Sequence, residues 1–423
     1  VILWLQTSHK AKQSVSSPEA SADSFSTEES ADSENADAGC IAGSGTLCLR
    51  LWRLFILLLI VSLLLSSLLS GSFADAWSGA DGWMMGFLVQ ALSLFFAFLF
   101  SFPVSGTGEH ARKFGTYCLY AGAGITIFLG IANRFRFYPF SYMGIDYTYL
   151  STLGNIDWFC GYLSVVVPIL MGDLYLARLD RQSGRKVYVK ELLLVMSFLI
   201  LILSGTESCY LILGGLFVSL AVVSVQNRAG LPAFLEQLAA FCLLPVLLHI
   251  CLITRRPELD RYLYENTQGI SWRLIHDWYG VALLAAAVSI LLWKSRIRNT
   301  TSRHAAPVKS RRTPPARGIF DGSLRLLTRP HLEYRSVFLN RFGMDIMNAH
   351  SILLNRLLTT GLIGMMLYLV IIVLSLRIWN RKLRSLPYIM MLLCYLAVGT
   401  VLFDQITCLP LMLILMGIGI QQE

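Results

Sequence analysis

Charged side chains are scarce: Asp, Glu, Lys and Arg make up 14% of the 423 residues, against roughly 25% in a soluble domain. A single soluble core under a charged surface is therefore excluded. The nine cysteines, at 40, 48, 118, 160, 209, 242, 251, 394 and 408, include no CxxC pair, and most sit in apolar runs. They read as small embedded hydrophobes, and neither a zinc site nor a disulfide framework is indicated. There is no Walker loop, dinucleotide GxGxxG, HExxH or GxSxG, so the familiar soluble-enzyme signatures are absent. No basic segment precedes a short apolar stretch and cleavage site, so no signal peptide is expected. Residues 13–46 lack Lys and Arg altogether and carry seven acids, Glu19, Asp23, Glu28, Glu29, Asp32, Glu34 and Asp37. That stretch is too polar to bury a core and is expected to be disordered. Val1 in place of Met is read as the mark of a fragment.

What abounds is apolar sequence, 55% of residues with a mean hydropathy of +0.60. It is gathered into runs of about 16 to 20 residues, the length that crosses a hydrocarbon core of roughly 30 Å. Eleven windows qualify: 54–72, 83–102, 115–132, 158–172, 192–206, 208–225, 237–254, 278–293, 357–376, 386–403 and 405–420. The expected fold is all-α, a polytopic transmembrane helical bundle of about 11 spans in the cell membrane, with the lipid bilayer as partner. The expected layout is a polar, acidic segment over 1–50, transmembrane helices over 51–293, a basic loop and extracytoplasmic site loop over 294–350, and C-terminal transmembrane helices over 351–423. Within the spans, Pro168, Pro245 and His249 are read as features that neighbouring helices accommodate, with His249 a packed helix-face residue. Asn299-Thr300-Thr301 is a glycosylation sequon by coincidence.

The formal charge of +9 fits basic cytoplasmic loops, not a nucleic-acid partner. The loop 177–191 holds Arg178, Arg181, Arg185, Lys186 and Lys190, and 377–385 holds Arg377, Arg381, Lys382 and Arg384, so both are expected inside. Glu207 and His350 are then outside. Counting from the two loops gives conflicting sides for 318–350, which would have to cross once without a long apolar run. Either one upstream window does not span, or a spanning segment is missing.

Polar chemistry collects in 318–356, where Asp321, Arg325, Arg329, His331, Glu333, Arg335, Arg341, Asp345, Asn348 and His350 precede an apolar helix. Arginines at a membrane surface suit bidentate phosphate binding, and a histidine at a helix entrance suits general acid or base work. A solvated basic loop on lipid head groups is the alternative from composition alone.

The string Asn348-Ala349-His350-Ser351 through Gly361-Leu362-Ile363-Gly364 to Leu369 resembles the signature of the O-antigen ligase and polysaccharide polymerase family. Three further stretches resemble its Gram-positive branch, in the family's order: Ser151–Trp158 with Gly161-Tyr162-Leu163 and Pro168, then Ser204–Leu211, then Asp404-Gln405-Ile406-Thr407 with Pro410. The resemblance covers about two thirds of the chain and implies a metal-independent membrane glycosyltransferase without a cofactor. Its substrate would be a glycan on a polyprenyl diphosphate, polymerised or ligated at the outer face, and a flippase and chain-length proteins would be the partners. His350 and Arg325 take the catalytic roles under this resemblance; Arg329, Arg341, Glu207 and Asn155 take substrate-binding roles, and no residue binds metal. This chain departs from the pattern at Thr206-Glu207-Ser208, where many members have Ser-Arg-Gly, and at Ser351, where Asn is usual. One or two family spans are also missing. Gly361 and Gly364, three apart, are expected to hold the helix from 357 against a neighbour.

Two rival readings are a multi-span transporter and an inactive structural member of a polysaccharide export complex. A transporter should carry ionisable residues at mid-span; here they gather at span ends and in one loop.

Overall fold

The computed structural model describes residues 28–79, 84–103, 108–135, 137–139, 149–255, 269–277, 279–300, 351–380, 383–402 and 404–421, with the backbone alone at 28–45, 108–112, 149, 252–255, 280 and 294–300. The chain is built of helices, and the strands among the described residues form one two-stranded hairpin. Thirteen α-helices among the described residues follow in order: α1 (Glu28–Leu68), α2 (Phe73–Ser78), α3 (Phe87–Phe100), α4 (Gly108–Arg134), α5 (Ile156–Leu179), α6 (Arg185–Ser204), α7 (Glu207–Gln226), α8 (Leu231–Arg255), α9 (Ile270–His276), α10 (Tyr279–Thr300), α11 (Ile352–Trp379), α12 (Leu386–Val398) and α13 (Leu409–Gln421). The hairpin, β1 (Tyr149–Leu150) and β2 (Gly154–Asn155), precedes α5.

Seven helical stretches among the described residues are long and apolar enough to cross a membrane. They are Thr46–Leu68, Lys113–Arg134, Ile156–Leu179, Arg185–Ser204, Glu207–Gln226, Arg228–Cys251 and Ile352–Trp379. An eighth is gained if α9 and Val281–Trp293, bent by 73°, form one broken span. The protein is thus a helical membrane protein. The windows at 83–102, 386–403 and 405–420 fall on helices of 14, 13 and 13 residues, about 20 Å each at 1.5 Å per residue. The backbone of α1 is helical from Glu28, inside the stretch expected to be disordered. No proline interrupts 28–68, so a helix nucleated in the apolar half can propagate upstream at one hydrogen bond per residue.

The chain divides into two units, residues 1–115 with 350–423 and residues 116–349. The first unit is discontinuous. In it α1 runs antiparallel to α11: Ser66 Oγ donates to Thr359 O at 3.1 Å, and far along both helices the Trp52 indole donates to Ser375 Oγ at 2.8 Å. Trp52 is fully buried. Helices α3 and α13 touch backbone to backbone at Gly417, where a Cβ would lie 2.3 Å from Ala97 O. One end of this unit gathers basic residues. There Arg53 donates to Ser101 Oγ at 2.9 Å and to Ser101 O at 2.6 Å, capping the end of α3, while Arg377 lies in the last turn of α11.

In the second unit α5 is the central helix, with 83% of its apolar window buried. Its start is set locally: Asn155 is the N-cap, its side chain accepting from Asp157 N at 2.7 Å, and Asp157 places negative charge in the first turn. Phe198, Phe217 and Phe241 from α6, α7 and α8 pack with ring centroids 5.2 to 5.7 Å apart. The end where α5 finishes and α6 begins carries paired charges. Lys190 contacts Asp173 at 3.0 Å, Tyr120 donates to the same carboxylate at 2.5 Å, and Arg178 pairs with Glu191 and, at 3.8 Å, with Glu236.

Candidate functional site

His350, Arg325, Arg329 and Arg341 lie outside the described residues. Asn155 and Glu207 are described, both exposed, at the first turns of α5 and α7. Those two turns adjoin. Cys160 Sγ lies 3.0 Å from Cys209 Sγ, and Thr206 Oγ1 is 3.2 Å from each sulfur. Two of the stretches quoted for the resemblance, separated by about fifty residues in sequence, therefore meet at the end of the second unit away from its paired charges.

Other elements hold that end in place. Ser151 has φ +58°, a left-handed conformation rare outside glycine. It is kept there by its N–H donating to Asn133 Oδ1 and its hydroxyl donating to Thr126 O, each at 2.6 Å. Arg134, buried at the end of α4, donates to Ser204 O at 3.2 Å. From α9, Ser271 Oγ donates to Ile202 O at 2.6 Å and lies 2.5 Å from the Tyr210 hydroxyl. Nearby rings also pack here: His276 stacks on Trp272 at 3.7 Å and meets His249 edge-on at 6.0 Å. His249 is thus a packed residue.

In the first unit the other two stretches meet. Arg356, six residues after His350, is 4% exposed and Asp404 is 5% exposed. Their Nη2 and Oδ2 atoms are 2.6 Å apart. Tyr395 donates to the other carboxylate oxygen at 2.6 Å, and Gln90 Oε1 accepts from Arg356 Nη1. The guanidinium also lies over the Tyr368 ring, 5.1 Å from its centroid. Twelve residues of straight helix would separate Arg356 from Tyr368 by about 18 Å, so α11 must bend between them. It does so at Gly361, whose φ +69° and ψ −178° are not helical. Glycine tolerates that conformation without steric cost.

The two glycines therefore have different roles. A Cβ on Gly361 would meet nothing within 4 Å, whereas one on Gly364 would lie 2.4 Å from Thr360 Oγ1 and 3.6 Å from Ser62 Oγ of α1. Only Gly364 faces the neighbouring helix; Gly361 makes the bend. Sequence reasoning missed Arg356, Arg134, Gln90 and Ser271, and it quoted Asp404 without assigning it a contact. A buried arginine in an apolar helix was the one available signal, since such a residue demands a partner.

No protein-family model, curated protein or solved structure matches the chain.

Proposed function

We propose that the chain is a multi-pass glycosyltransferase of the cell membrane that polymerises or ligates glycan carried on a polyprenyl diphosphate, at the outer face. The observation that carries this reading is the string from Asn348 to Leu369, with its helix-entrance histidine and following glycines. The geometry supports it in two ways. The four stretches quoted for the resemblance are adjacent in pairs, Arg356 with Asp404 in one unit and Cys160 with Thr206 and Cys209 in the other. In each unit taken alone, the pair lies at the end opposite the basic residues, which the positive-inside rule assigns to the outside.

In the reaction an acceptor hydroxyl attacks the anomeric carbon as its bond to the diphosphate breaks. His350 takes the hydroxyl proton, and Arg325, with Arg329 and Arg341, stabilises the charge that develops on the departing diphosphate. Asn155 and Glu207 bind substrate. The test is glycan length after complementation of a cell lacking its own enzyme, comparing the parent with His350→Ala and Arg325→Lys. His350→Ala should give no long glycan, since a positioned acid or base contributes about 10²- to 10⁴-fold. Full restoration by His350→Ala sinks the reading.

A transporter is the second reading, and one observation favours it. Arg356 and Asp404 are buried with Tyr368 and Tyr395 at the end of a spanning helix, and intramembrane ionisable residues often mark a solute path. Solute uptake by reconstituted vesicles, unaffected by His350→Ala, would select it.

A further inference from the structure

We propose that Cys160 and Cys209 form a redox-convertible dithiol that closes into a disulfide and staples the first turn of α5 to that of α7. The two sulfurs are 3.0 Å apart and both side chains are fully buried, so the thiols already face each other. Bond formation needs the gap to close by about 1 Å, to the 2.03–2.05 Å of a disulfide. The two residues are 49 apart in sequence and on separate helices; their proximity is a product of packing, not of local chain geometry. They also lie at the end of their unit that the positive-inside rule assigns to the outer side, where disulfides persist. This inference is independent of the glycosyltransferase reading.

The oxidant is a disulfide, either a small molecule or a thiol–disulfide oxidoreductase of the outer compartment. One cysteine thiolate attacks the oxidant's disulfide and releases the first thiol. The second cysteine then attacks the mixed disulfide and releases the other. The chain loses two protons and two electrons, and the oxidant leaves as two thiols. Entry is through the turn between α6 and α7, where Gly205 and Thr206 are only half-buried.

The test uses the full chain in membranes and diamide as the probe, which accepts two electrons and two protons to become the hydrazine. After treatment the protein is denatured, alkylated with N-ethylmaleimide, digested and mapped by mass spectrometry. The expected result is a linked peptide pair containing residues 160 and 209, released by dithiothreitol, with singly alkylated Cys160 falling to near zero. A link already present before diamide and released by dithiothreitol also supports the proposal. Recovery of both cysteines as separately alkylated peptides after diamide overturns it. Cys160→Ser checks specificity: Cys209 should then be recovered alkylated, and its equally efficient linkage to another cysteine would overturn the pairing.

Discussion

Replacing Asp404 with leucine should be among the most damaging single changes in the first unit. Arg356 would keep Gln90 and the face of Tyr368, but its charge would lose the carboxylate 2.6 Å away. Breaking a buried pair by removing one partner costs about 3–5 kcal/mol. Helices separated within a membrane still find polar partners, which makes the lower end appropriate here. At about 3 kcal/mol the folded-to-unfolded ratio falls by more than a hundredfold. Asp404→Leu alone already takes the acceptor from the Tyr395 hydroxyl, so adding Arg356→Met exchanges an unpaired buried guanidinium, about 3 kcal/mol, for the loss of one donor to Gln90 Oε1, about 1 kcal/mol. The double variant should therefore be more stable than Asp404→Leu alone. The assay is SDS-induced unfolding in detergent, run as a double-mutant cycle for the parent, both single variants and the pair. Additive losses, with no interaction energy beyond about 0.5 kcal/mol, would refute the idea that these charges depend on each other.

Four further outcomes are expected. Gly361→Ala should destabilise the chain by about 1–3 kcal/mol, because an L-residue is forced to φ +69° and ψ −178°, a conformation open essentially only to glycine, whereas Gly364→Leu should disrupt the packing beside Ser62 and reduce the monodisperse fraction on size-exclusion. Trp52→Phe removes one buried hydrogen bond to Ser375 and should cost about 1 kcal/mol, measured by the same SDS titration. In a cysteine-free background, a cysteine at Glu207 should react with an impermeant maleimide on intact cells and one at Arg181 only after lysis; the reverse pattern would invert the orientation.

The helices were legible because the signal for a membrane helix is local: a long apolar run announces itself without its neighbours. The start of α5 carried a local signal too, Asn155 and Asp157 at the head of the apolar run, but Asn155 was read for substrate binding and not as the cap that it is. Helix length was less legible. The window 386–403 reads as continuous, yet α12 ends at Val398 and the chain turns to bring Asp404 to Arg356. That turn follows from a partner 48 residues upstream, which no window contains. The cluster at Ser204–Leu211 was recognisable as a string, but its supports Arg134 and Ser271 come from α4 and α9. The division of the chain depends likewise on which helices pack together, and hydropathy has no term for that.

The discontinuous first unit imposes an order on biogenesis. Trp52 emerges from the ribosome 323 residues before the Ser375 that accepts its indole N–H, a delay of about 15–65 s at 5–20 residues per second. During that interval the inner face of α1 must wait in lipid or against an insertion factor, while all of 116–349 is synthesised. The second unit has its helices in hand first. Completion of the first unit is therefore a late step, and premature termination anywhere before α11 strands α1 without the helix it was made to meet.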